Sequence, residues 1–134
     1  MEEYCFHNEK NMSKKIEWVL RIAVAGEFLG HAVFALQGRQ TWIEWFGIFG
    51  ITNVETAGTL LFLVGLLDLA VAIIVLVRPI NIVLLWAVFW GFWTALMRPI
   101  AGDSIFEFIE RFANWGAPLA LLLLRREYQK RWLR

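Results

Sequence analysis

Glu27 and His31 lie four residues apart in a long apolar run, so a helix there carries both on one face. A carboxylic acid and an imidazole so placed can pass a proton between them or address a third group as donor and acceptor. Asp68 stands alone in a second apolar run, while Arg98, Glu110, Arg111 and Asn114 stand toward the outer ends of two more. An ionised carboxylate in hydrocarbon costs on the order of 3 kcal/mol or more, so Glu27 and Asp68 are expected to be protonated or paired. The natural partner of Asp68 is His31 or Arg111. Glu27, His31 and Asp68 form the expected catalytic set, because two carboxyls in different surroundings can divide the roles of acid and base.

Trp86, Trp90, Trp93 and Met97 recur at intervals of four, three and four, which lines them up as one stripe with Thr94 beside it. Core packing accounts for such a stripe. As the wall of a pocket it would suit a flat apolar ring such as a quinone or a sterol. Trp90, Trp93, Thr94, Glu110, Arg111 and Asn114 are therefore the expected ligand-binding set. Glu107 is set aside because Ser104-Ile105-Phe106-Glu107 has capping-box spacing.

Other chemistry is excluded by what the chain lacks. Cys5 is the only cysteine, which rules out an internal disulfide, a CxxC pair and a thiolate metal cage. His31 is the only histidine of the apolar region, so a haem held by two axial ligands from one chain is not expected, and no metal site is. A net charge of +1 gives no reason to expect a nucleic-acid partner.

The elements that must position these groups follow from hydropathy. Of 134 residues, 59% are hydrophobic and 19% charged, too apolar a balance for a water-soluble domain. Four runs, Ile16–Leu36, Gly58–Val77, Ile80–Met97 and Ile105–Leu124, approach the roughly 20 residues that a helix needs to cross a bilayer. The expected fold is an all-α, antiparallel four-helix transmembrane bundle. Residues 1–15 form a flexible leader, with Ser13 as the first cap, and residues 125–134 a basic tail. Lys10, Lys14, Lys15, Arg78, Arg125, Arg126, Lys130, Arg131 and Arg134 place both termini in the cytoplasm by the positive-inside rule.

Within this frame, Arg21 reads as a headgroup anchor and Gly26 and Gly30 as a close-packing strip for another helix. Thr41-Trp42-Ile43-Glu44 starts a short aromatic helix in the first outer loop, lying at the interface over the bundle mouth. Asn53 and Glu55 suit the start of the second span. Gly58, Gly65, Asp68 and Ala72 make its inward face, with Asp68 roughly 18 Å from the outer end at ~1.5 Å per residue. From the midplane outward stand Glu27, His31, Asp68, Thr94, Arg98, Glu110, Arg111 and Asn114, whereas the cytoplasmic half of the later spans is leucine, isoleucine and valine, which implies a polar-floored cavity on the outer side.

Arg21, followed by Gly30-His31-Ala32-Val33-Phe34-Ala35-Leu36-Gln37-Gly38 and a glycine-bearing second span, resembles the DoxX-like family of small four-span membrane proteins. The resemblance implies an inner-membrane protein linked to redox, thiosulfate or quinone metabolism, and carries over no metal or cofactor residue. A weaker similarity, in its buried Glu, His, Asp, Asn and Trp, is to sterol-binding and sterol-isomerising four-helix membrane modules. Three functions follow as expectations. The first is a redox-associated subunit binding a quinone or similar lipophile. The second is a lipophile-binding protein or isomerase using Glu27 and Asp68. The third is an assembly subunit, as a homo-oligomer or in a larger membrane complex.

Overall fold

The computed structural model describes the backbone of residues 2–132 and the side chains of residues 12–127. Its elements are α1 (Glu2–Leu36), α2 (Gln40–Trp45), a 3-10 turn (Phe46–Phe49), α3 (Val54–Val77), α4 (Asn81–Ile100), α5 (Ile105–Ile109) and α6 (Phe112–Trp132). No strand occurs among the described residues. Met12–Leu36, Val54–Val77 and Asn81–Ile100 are long and apolar enough to cross a membrane. The helix α1 packs on α3 and α6, and α4 packs on α6 and α3.

Two starts differ from expectation. Nothing between Glu2 and Ile16 breaks a helix, so α1 runs back through the leader and Ser13 lies inside it rather than at its cap. The side chains of Cys5, His7 and Lys10 lie outside the described residues, as do those of Lys130, Arg131 and Arg134 in the tail. In the outer loop, Arg39 precedes α2 without a side-chain cap, so Thr41 is a helical residue and the expected capping box is absent.

The stops have clear causes. At the end of α1, Gly38 takes φ +67°, with its N–H bonded to the Ala35 carbonyl and that of Arg39 to Phe34, a Schellman closure. Gly50 ends the 3-10 turn at φ +80° with the same pair of bonds, from Gly50 to Gly47 and from Ile51 to Phe46. Asn53 caps α3 as expected, accepting from the Thr56 N–H at 2.9 Å.

The other end of α3 explains Arg21. Pro79 has no N–H to offer Val75, and the last carbonyls of a helix have no partner of their own. The Arg21 guanidinium donates to the Val75 carbonyl at 3.2 Å, to that of Val77 at 2.9 Å, and to that of Leu76. Arg21 is thus the cap of a neighbouring helix, with Trp18 stacked 4.1 Å from its guanidinium carbon. Glu17 accepts from Arg125 at 2.7 Å and ties α1 to α6 at the same end.

The expected fourth run is not one helix. It breaks at Glu110 and Arg111, where the Arg111 N–H bonds to Phe108, three residues back, and the Glu107 carbonyl accepts from the Arg111 side chain at 2.8 Å. Glu107 also differs from expectation: Ser104 caps α5 through the Phe106 N–H, while the Glu107 carboxylate binds Arg98 at 3.0 Å. Lower in α6, Pro118 cannot donate to the Asn114 carbonyl. That oxygen faces Gly91 of α4, where an added Cβ would lie 2.5 Å from it.

Facing residues set antiparallel registers. Ala35 and Leu36 of α1 meet Gly65 of α3, and Arg21 meets the far end of the same helix. Toward the end holding Arg21 the bundle is filled by Val24, Phe28, Val71, Val75, Leu84, Leu121 and Leu122. At the other end, beneath α2 and the 3-10 turn, it is hollow. Leu63, Leu66, Ile73, Leu85 and Phe89 point outward and stay exposed, an apolar belt suited to lipid.

Candidate functional site

The hollow is a cavity of about 170 Å³ between α1, α3 and α4, covered by α2 and the 3-10 turn. Its polar groups are His31 from α1, Asp68 from α3, Thr94 and Arg98 from α4, and Arg111 from the α5–α6 break. The rest of the wall is almost wholly apolar. Trp90, Trp93 and Met97 supply it from α4, Leu61 and Val64 from α3, and Trp42, Trp45, Phe46 and Phe49 from the cover.

Asp68 is the one buried charged residue among the described residues, 2% exposed. It faces inward as the spacing of Gly65, Asp68 and Ala72 requires. Neither expected partner holds it, since its Oδ1 has no hydrogen bond. Arg111 is committed to Glu107 and Glu110 instead, and His31 lies edge-on to Trp42 at 5.5 Å between ring centroids. The Trp90 indole lies beside the Asp68 carboxyl. Its Nε1 is buried and makes no geometrically sound hydrogen bond, and its ring stacks on Trp86 at 5.4 Å and 13°. A buried polar group left unpaired costs roughly 1–3 kcal/mol, and here two such groups stand side by side.

Of the expected residues, His31, Asp68, Trp90, Trp93, Thr94 and Arg111 come together on the cavity wall. Glu27 is near enough to Asp68 for their charges to interact but is not on the wall; its Oε1 is buried without a partner. Asn114 is off the wall, with its carbonyl against Gly91, and Glu110 is exposed and paired with Arg111. Thr94 donates to the Trp90 carbonyl at 2.9 Å, so its hydroxyl offers a ligand only acceptor capacity.

The cover is what the ligand-binding set omitted. Trp42 meets His31 and Phe34, Phe49 meets Trp93 at 6.4 Å, and the Arg98 guanidinium carbon sits 5.3 Å from the Trp45 ring. Arg98 is held from behind by Glu107 and, at 3.9 Å, by Asp103. The signal for the cover was the clustering of Trp42, Trp45, Phe46 and Phe49 in a run too short to span a bilayer. Gly26 and Gly30, expected at a close helix contact, have nothing within 4 Å of an added Cβ. Close approach occurs at Gly65 and Gly91 instead.

Among the described residues no group of three His, Cys, Asp or Glu side chains could hold a metal ion. Protein-family models, curated proteins and solved structures yield no match to the chain, so a functional reading has to come from the site itself.

Proposed function

We propose that this chain is an integral inner-membrane protein of DoxX-like type that binds a quinone or similar flat lipophile in the covered cavity, as a redox-associated subunit. In this reading α6 is the fourth span, and both termini are cytoplasmic. The second point is supported by Lys14, Lys15, Arg78, Arg125 and Arg126 gathering at the end where α1 and α6 meet. The observation that carries the ligand reading is the unpartnered Asp68 carboxyl in a wall where His31, Thr94, Arg98 and Arg111 are the other polar groups and apolar side chains, tryptophan and phenylalanine above all, make up the rest. Apolar walls with a few fixed polar groups are how small-molecule sites are built. At about 170 Å³ the cavity is below the ~300 Å³ at which drug-sized pockets begin, so it takes a ring and leaves an alkyl tail outside.

Mass spectrometry of an organic extract from gently purified protein tests this. The expected result is a co-purified quinone or other ring-bearing lipophile that is lost from His31→Ala and Asp68→Asn. Folded protein with an empty extract would remove the proposal. An assembly role is the second reading, favoured by the open face at Gly26 and Gly30, where another chain can approach closely. It predicts that Gly26→Leu and Gly30→Leu abolish co-purification of a partner or second copy while extracts stay unchanged.

A further inference from the structure

We infer that the outer end of the cavity receives a carboxylate, so that the lipophile it takes is an acid with its head on Arg98 and Arg111 and its apolar body toward Trp90 and Leu61. The inference rests on the lipophile-binding reading and adds the head group that is recognised. Arg98 and Arg111 reach the wall from different elements, close enough for their charges to act on each other and on His31, a third wall residue. Their side chains are only 16% and 24% exposed, and two like charges so placed repel unless anions stand near them. The chain supplies some: Glu107 and Asp103 pair with Arg98, and Glu107 and Glu110 with Arg111. All three acids stand off the wall, so a ligand meets the guanidiniums and not the acids.

Both guanidiniums keep donors in hand. Every one of these contacts runs through Nη1, as does the bond from Arg111 to the Glu107 carbonyl. The guanidinium fork spreads its N–H groups over Nε, Nη1 and Nη2, so the Nε and Nη2 side of each is unspent. Trp45 lies 5.3 Å from the Arg98 guanidinium carbon and, with the acids behind, fixes that fork before a ligand arrives. A quinone carbonyl can accept from one fork. A carboxylate has two oxygens and a full charge, and can accept from both. Asp68, the one carboxyl on the wall, does not crowd such a head: it stands beside Trp90, and Arg98 is two turns further along α4, roughly 12 Å by the helical rise. Head and apolar body thus have separate places.

The test uses the full chain purified in detergent, with 4-butylbenzoate and 4-butylbenzamide as probes read by calorimetry at neutral pH against protein-free micelles. The two share ring and tail, but only the first is charged. The acid is expected to bind about tenfold tighter or more. Arg98→Lys and Arg111→Lys keep the charge and lose the fork, and each should weaken the acid more than the amide. A second measurement needs no variant: in carbon-13 spectra of the carboxyl-labelled acid, the bound carboxyl should titrate at lower pH than the free one, because guanidinium donors favour its charged form. Apolar wall alone would move that midpoint the other way. Equal affinities, a raised midpoint, or a preference untouched in both folded variants would overturn the carboxylate inference and leave the lipophile reading standing. If neither probe binds beyond its partition into empty micelles, the lipophile reading itself fails.

Discussion

Gly91 of α4 faces the backbone of Asn114 in α6 so closely that a Cβ there would lie 2.5 Å from the Asn114 carbonyl oxygen and 2.9 Å from its carbon. The oxygen is the one that Pro118 leaves without an N–H. Contact between a Cα hydrogen and a carbonyl is a second-order attraction, and it is available here only because residue 91 has no side chain. The two helices are thereby joined backbone to backbone.

Gly91→Ala should therefore lower the thermal unfolding temperature in detergent, with a cost of about 1–3 kcal/mol from overpacking. Backbone atoms cannot swing aside as a side chain can. Gly65→Ala, which meets the flexible end of Leu36 at 2.9 Å, should cost less. Gly26→Ala and Gly30→Ala meet nothing and should hold or raise stability, by up to ~1 kcal/mol of helix propensity. A fall at Gly26 equal to that at Gly91 would contradict this packing.

Removing Arg21 strips the last carbonyls of α3 of their donors. Arg21→Ala is expected to destabilise by about 1–3 kcal/mol, the worth of hydrogen bonds from a charged donor to these carbonyls. Arg21→Lys should recover only part, because an ammonium on a flexible stem does not match the planar fork that reaches three carbonyls. Amide exchange in Ile74–Val77 would report the loss at that end of the helix.

Trp42 and Phe49 fasten the cover to α1 and α4 through ring contacts, each worth roughly 0.5–1.5 kcal/mol. Trp42→Ala and Phe49→Ala should each speed release of a bound probe by about threefold to tenfold in stopped-flow quenching, with bundle stability little changed. Release at the original rate would show that the cover is not the barrier.

The proposed topology makes Thr52 outward-facing and the leader cytoplasmic. In a Cys5→Ser background, Thr52→Cys should react with a membrane-impermeant maleimide applied to intact cells or spheroplasts. The native Cys5 should react only after permeabilisation. The reverse pattern would invert the orientation.

Much of this architecture could be read from residue order alone. Runs of apolar residues locate Met12–Leu36, Val54–Val77 and Asn81–Ile100, Asn53 announces the start of α3, and the spacing of Gly65, Asp68 and Ala72 points that face inward. Period and caps are properties of one helix at a time. The roles of Arg21, Gly91 and Glu107 depend on which residue of another helix stands opposite, and periodicity carries no such register. Glu107 shows the limit well: capping-box spacing was present, yet the carboxylate found stronger partners in Arg98 and Arg111. Depth likewise grouped Asn114 with Glu27 and His31, and depth says nothing about angle around the bundle.

The packed half of the bundle, from Val24 and Phe28 across to Leu121 and Leu122, gives the aromatic hollow a closed bottom. A ligand bound there on the proposed reading enters and leaves on the side away from that packed half. On the proposed reading, the cavity is a docking berth with one packed end, and not a passage through the bundle.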